Sequence, residues 1–470
     1  MTNWSGRVVP DESDGQSPYR RWGEHVPFWM YSTFLLVVAL TGGASRSDSF
    51  AQTAVRVGAI AFLAAIAMMR RPVEWRSLRW PIAYLAVLAA VMVVMLVPLP
   101  PSIWTDLPGR ALIAKAAPLA GMPQPWRPLA ISPPLALNAL MALIPALAAM
   151  LGMLFLTPVE RGRLLTPIVV LILVSAVLGL AQVSAGQGSG LRWYAITNRA
   201  AGVGFFANRN HQALFLALGL PALAIWATTS AVRFPSVQTR TWLAGGIAIF
   251  LCLTIPTTGS RAGLLLGAVG LVAAAALSAG RIRAALRKLS PRWRAISVGA
   301  GAAVVVLIFV VALTFRSATS VQRLFSLDVG SDTRTLALPT LKQLIVTYFP
   351  AGTGFGGFEP AFRAAEPFGL LRTTYLNEAH NDVVQLVIEG GLAGALLLVA
   401  FVSWWLYRSV VIWRMSTAVT HARLARAASV MVLMTMLASV ADYPLRTPLI
   451  MVTMVVACVW MQLPRDKATA

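Results

Sequence analysis

Acidic residues are scarce in this chain: 17 Asp and Glu stand against 39 Lys and Arg, a formal net charge of +22 over 470 residues. Charge of either sign is thin, at 12% of residues, while 57% are hydrophobic and the mean hydropathy is +0.71. A soluble domain needs a charged surface, so this composition excludes one and points to a membrane protein. The two cysteines, Cys252 and Cys458, both fall in apolar runs, which excludes a disulfide framework and a thiolate metal centre. Histidine is rare, with four in the chain. Internal repeats, coiled-coil heptads and long low-complexity segments are missing as well. The basic excess does not build a nucleic-acid surface, because its cations are scattered between apolar runs rather than grouped on one soluble domain.

What is present is apolar sequence in bilayer-matched lengths. Runs of about 16 to 25 residues begin near Pro27, Ala51, Pro81, Leu135, Leu165, His211, Trp242, Ala262, Ile296, Val383, Ala425 and Thr447. They predict an all-α integral membrane protein of about twelve transmembrane helices. Lys and Arg concentrate in alternate loops: Arg70, Arg71, Arg76 and Arg79, then Arg281 to Arg294, then Arg408, Arg414, Arg423 and Arg426. Because short basic loops stay cytoplasmic, both termini are expected inside. Gly42 and Ala44 resemble a signal cleavage site, but the polar leader before the first run argues for an uncleaved anchor. The expected organisation is a cytoplasmic tail over 1–26, nine spans over 27–314, a large periplasmic loop over 315–382, three spans over 383–463 and a cytoplasmic tail over 464–470. A loop that long usually carries function. Two smaller outer loops run from Pro100 to Pro134 and from Gly186 to Asn210.

Chemistry concentrates where the large loop meets the tenth span, in NEAHNDVVQLVIEGG from Asn377 to Gly391. If the run behind His380 is helical, Asp382, Gln385 and Glu389 share one face of an otherwise apolar rod. Lipid does not tolerate that face, so it should look into a polar cleft at the outer surface. Imidazole titrates at about 6.5 in the absence of neighbours, which makes His380 a candidate general base, with Glu378 and Asp382 placed to orient it. The plainer reading makes His380 a helix-start residue beside an Asp382 N-cap. Arginines at outer span ends, Arg209, Arg261 and Arg334, suit a pyrophosphate, because the guanidinium pairs bidentately with phosphate; the alternative is snorkelling to lipid phosphates. Glu378, Asp382 and Glu389 fit one divalent cation poorly, since at 1.5 Å per residue Glu389 lies about 10 Å deeper than Asp382. The glycine-rich GTGFGGF from Gly352 to Phe358 lacks a GK[ST] ending and reads as a tight turn.

Together with TGSRAG at Thr258 to Gly263, SDTR at Ser331 to Arg334 and ADYPLRTP at Ala441 to Pro448, these segments resemble the O-antigen ligase and polymerase superfamily. The similarity covers roughly Gly202 to Pro448. It implies a membrane glycosyltransferase of the bacterial inner membrane, with a GT-C-like helical fold. Such an enzyme takes an undecaprenyl-pyrophosphate-linked glycan as donor and works on the periplasmic side. Lipid A core, or another lipid-linked glycan, is the acceptor; membrane lipids are the remaining partners and nucleic acid is not one. The resemblance makes His380, Arg261 and Arg334 catalytic, with Asn381, Asp382 and Asp442 around the substrates and neither metal nor cofactor required; the outer arginine Arg209 and the cleft-facing Glu389 join them as expected substrate-binding residues. Asp442 has an equally good reading as a turn acid beside Pro444. The absence of an Arg-x10-Gly pattern from the outer loops tilts the choice toward ligase over polymerase. A transporter or flippase of lipid-linked glycans is the competing class, expected to show repeats and interrupted helices at matching positions, of which the sequence shows neither. An envelope scaffold would not need His, Arg and acid grouped on one side.

Overall fold

The computed structural model describes residues 18–46, 50–69, 71, 73, 75–228, 236–296, 299, 301, 303, 306, 333–371, 376–416 and 421–462. It is 74% helical, and among the described residues eight helices are long and apolar enough to cross a membrane. They are accompanied by two shorter apolar helices, His25–Thr41 and Pro448–Trp460. This is a multi-pass membrane protein. Most of the ninth expected span, which begins at Ile296, and residues 307 to 332 lie outside the described residues. Helix α1 (Pro18–Thr41) begins inside the stretch expected as a tail.

Helices α2 (Phe50–Ala67), α3 (Arg79–Val94), α7 (Pro133–Met141), α8 (Ile144–Leu154), α9 (Pro158–Arg163) and α10 (Leu165–Ser184) follow. Between α3 and α7 the expected outer loop folds into short helices α4 (Pro101–Trp104), α5 (Ala111–Ala114) and α6 (Ala116–Leu119). Its ends form an antiparallel ribbon, β1 (Pro98–Leu99) on β2 (Arg127–Pro128). This small ribbon departs from the all-α expectation.

The centre of the bundle is α11 (Arg209–Trp226), in which every residue from His211 to Trp226 except Ala224 is buried. A helix apolar on all sides belongs in the interior. It packs against α10, α12 (Val237–Thr254) and most extensively α13 (Arg261–Arg287). Small residues allow that approach, because a side chain at Gly263 would collide with Ala213.

The expected periplasmic loop is not structureless. It contains α14 (Thr333–Tyr348) and α15 (Phe358–Ala365), which form a second small core of Leu341, Leu344, Phe358, Phe362 and Ile388. Ile388 belongs to α16 (Asp382–Arg414), which is broken at Gly391, where φ is 56° and ψ −136°. One interruption is therefore present in the described residues, where a transporter is expected to show them at matching positions in two halves. The glycine-rich turn fills the break. Thr353 N and Gly354 N donate to the carbonyls of Ile388 and Glu389 at 2.9 Å each, and Leu392 N donates to Pro350 O at 2.9 Å. Backbone groups freed by a break in a membrane helix must find such partners. A side chain on Gly391 would collide with Pro350 O, so glycine is required there. Helices α17 (Ala422–Ala441) and α18 (Pro448–Trp460) complete the bundle, and the turn between them, 442–447, faces the start of α16.

Candidate functional site

The site forms where the 377–382 turn meets the 442–447 turn and the start of α11. Asn381 is the N-cap of α16, its side chain accepting from Val384 N at 3.0 Å. The expected cap was the next residue, Asp382, whose carboxylate is used elsewhere. A backbone bond from Asp382 N to Asp442 O, 3.2 Å, ties the two turns together.

His380 sits with φ of 50°, the one non-glycine among the described residues with left-handed backbone. Such a conformation costs about 1–3 kcal/mol and persists only where the surroundings impose it. Ala379 N is held by Gln385 Oε1 at 2.8 Å on one side, and the Asn381 cap fixes the other. The imidazole then points Nδ1 at Asp442 Oδ1, 3.1 Å away. Tyr443 lies edge-on to that ring at 4.8 Å and to the His211 ring at 5.2 Å. Asp442 is 4% exposed and heavily engaged: Oδ2 accepts from Asn210 Nδ2 at 2.5 Å and from Asn208 Nδ2 at 3.2 Å, and Oδ1 from Tyr443 N at 3.0 Å. In the tautomer with Nδ1 protonated the imidazole donates to this carboxylate, and Nε2 is then the nitrogen that can accept a proton. The acid that orients His380 is thus Asp442, not Glu378 or Asp382 as expected.

Those two acids serve a different residue. Arg446 reaches Glu389 Oε2 at 2.8 Å through Nη2, and its Nε lies 3.5 Å from Glu378 and 3.6 Å from Asp382. Asp382 also accepts from Ser439 Oγ at 3.1 Å and Leu445 N at 3.3 Å. Gln385 donates to Glu378 and, at 3.3 Å, to Glu389. Burial pushes the Glu378 carboxyl above its usual range, an effect that Arg446 partly offsets and Glu389 reinforces. Burial alone would loosen the Arg446 proton; Glu378, Glu389 and Asp382 reverse this and hold it more tightly than in water. The place between the carboxylates that a cation would need is taken by this guanidinium.

The structure therefore gathers His380, Asn381, Asp382, Glu389 and Asp442 into one region. Arg209 is the first residue of α11, between Asn208 and Asn210, which both hold Asp442. Arg261 is the first residue of α13, capped by Ser260, and α13 starts against Ala213 of α11, so both arginines lie at the His380 end of the bundle. Arg334 lies in the first turn of α14, and its side chain is outside the described residues. Sequence reasoning missed Arg446, Asn208, Asn210 and Tyr443. A signal for Arg446 existed: three acids beside an apolar span need a cation, and this one follows Asp442 by four residues.

Residues 246–399 match the O-antigen ligase family model, which supports a relation of this stretch to the O-antigen ligase and polymerase superfamily. No curated protein matches the chain. The matched stretch holds Arg261, Arg334, His380, Asn381, Asp382 and Glu389; Arg209, Asp442 and Arg446 stand outside it.

Breaking a buried ion pair by removing one partner is costly, of order 3 kcal/mol, because the other charge stays behind. Arg446→Gln should lower the thermal stability of the detergent-purified protein, and Arg446→Lys should lower it less while failing to restore the three-way fork. Unchanged melting in both variants would show that the carboxylates do not need this cation.

Proposed function

We propose that the chain is a metal-independent glycosyltransferase. It moves a glycan from an undecaprenyl-pyrophosphate carrier to an acceptor hydroxyl at the periplasmic face of the bacterial inner membrane. With lipid A core as acceptor it is an O-antigen ligase. The observation that carries the reading is the strained His380, its Nδ1 3.1 Å from Asp442 Oδ1, at the head of a broken membrane helix. In the reaction the acceptor oxygen bonds to the anomeric carbon, and the bond from that carbon to the pyrophosphate breaks, its electron pair leaving on the phosphate oxygen. The hydroxyl proton passes to His380 Nε2. Arg209, Arg261 and Arg334 offset the charge that gathers on the leaving pyrophosphate, as preorganised guanidinium groups do well. Asn381 shapes the turn, while Asp382 and Glu389, engaged by Arg446, keep the cleft in form beside the substrates.

The orientation follows from the basic segments: 315–382 is periplasmic, and Arg281 to Arg294 and both termini are cytoplasmic. A phosphatase fusion after Arg287 should be inactive and one after Pro367 active; the opposite pattern would place the site on the wrong side of the membrane.

His380→Ala should insert and bind donor but lose transfer by about 10² to 10⁴, the usual contribution of a general base. Arg261→Lys should also slow transfer, since lysine cannot form the planar bidentate pair. Wild-type transfer should persist in EDTA. Full activity in His380→Ala, or activity lost in EDTA and regained with Mg²⁺, would overturn this mechanism.

Ligase and polymerase differ in acceptor alone. Cells lacking the gene should accumulate intact lipid-linked polymer if the chain is a ligase; single repeat units would make it a polymerase.

A further inference from the structure

The 377–382 turn has two faces, and the mechanism uses one of them. On the other face opens a groove of about 1730 Å³ between α3 and α16, floored by α8 and flanked by α17 and α18. Its lining is mainly apolar, including Leu88, Met92, Leu143, Ala146, Leu397 and Phe401. Asn377, Glu378, Gln385 and Arg446 close one end, whereas His380, Asp442, Arg209 and Arg261 do not line it at all. Arg46 and Arg56 line the groove at this same end, Arg56 through Asn138 of the helix that packs on Gly356, and Arg76, Arg79 and Arg408 line it as well. Arg56 is the one charged residue of α2, and a cation in the middle of an apolar helix marks a site before it marks anything else. Its guanidinium is held by Asn138, with Nη1 at 2.8 Å from Oδ1 and Nη2 at 3.3 Å from the carbonyl, while Nε is buried without a hydrogen bond.

We infer that this groove binds the lipid anchor of the acceptor, with a phosphate of its head group on Arg46 and Arg56 and its sugar against Asn377, Glu378 and Gln385. The inference rests on the transferase reading and assigns the second substrate within it. Charge complementarity selects this occupant. Arginines at this end suit phosphate, the carboxylate and amides beside them suit sugar hydroxyls, and the apolar length of the groove takes hydrocarbon. The donor pyrophosphate has its arginines on the opposite face, at the starts of α11 and α13. A sugar leaving the groove over Asn377 and Glu378 meets His380 next, where its hydroxyl gives up the proton. Two substrates that approach from different sides of one turn need not compete for one entrance.

The test uses the purified full-length chain in lipid, with lipid A core as acceptor and undecaprenyl-pyrophosphate-linked glycan as donor, each titrated separately. Arg56→Gln removes the phosphate contact, and Val87→Trp fills the groove from an exposed wall position of α3 that tolerates bulk. Both should raise the acceptor KM by about tenfold and leave the donor KM and kcat within about twofold, the pattern of lost ground-state binding to one substrate. A raised donor KM with unchanged acceptor KM would give the groove to the carrier chain and overturn the assignment. Unchanged constants for both substrates in the folded Val87→Trp protein would leave bulk lipid as the occupant and overturn it equally. Failure of the wild type to transfer would defeat the transferase reading instead, a result the variants cannot mimic.

Discussion

One guanidinium among three carboxylates sets the geometry of everything at the head of α16. Glu378, Asp382 and Glu389 come from a turn and two turns of one helix, and each would repel the others in a partly dry cleft. At an effective dielectric of 20, a charge pair about 4 Å apart interacts by about 4 kcal/mol before desolvation is counted, so the sign of the central group decides whether the cluster holds or bursts. Arg446 makes it hold. Because Arg446 follows Asp442 by four residues, clamping it to α16 also delivers the Asp442 carboxylate to His380, and the Asp382 N to Asp442 O bond locks the two turns in register. The Arg446 cluster and the Asp442 partner of His380 are thus two ends of one short segment.

Much of this was legible in the sequence, and the exceptions have physical causes. Apolar runs announced the bundle, since a bilayer leaves few alternatives to long helices. The rarity of histidine and its place before an apolar run with acids singled out His380. The partner of that histidine was not legible, because Asp442 is 62 residues away and only tertiary packing chooses between it and the nearer Glu378 and Asp382. The depth argument that separated Glu389 from Asp382 assumed a site no wider than a metal ion. A long arginine side chain entering from the facing turn spans the gap. The break at Gly391 was not legible in the sequence, whose apolar run reads as one continuous span, and the segment that fills it, around Gly352, could be found only by folding.

The bundle explains why the site faces as it does. α11 opens on four polar residues, Arg209, Asn210, His211 and Gln212, yet from His211 to Trp226 every residue but Ala224 is buried. Its polar first turn spends those groups on the site: Asn210 on Asp442, His211 on Thr447 at 2.8 Å, and Gln212 on Ser175 inside the bundle. Neighbouring helices shield this turn from lipid, which lets a membrane protein keep asparagine and histidine at the base of a cleft.

The central claim is that Asp442 makes His380 a base by fixing its tautomer. Asp442→Asn tests it most directly, because the amide keeps the size and most hydrogen bonds of the carboxylate and loses only its charge and its ability to accept at both oxygens. Single-turnover transfer by the purified variant, with bound donor measured in parallel, should fall by about 10² to 10⁴ while donor binding is retained. Transfer at the wild-type rate in Asp442→Asn would contradict the account.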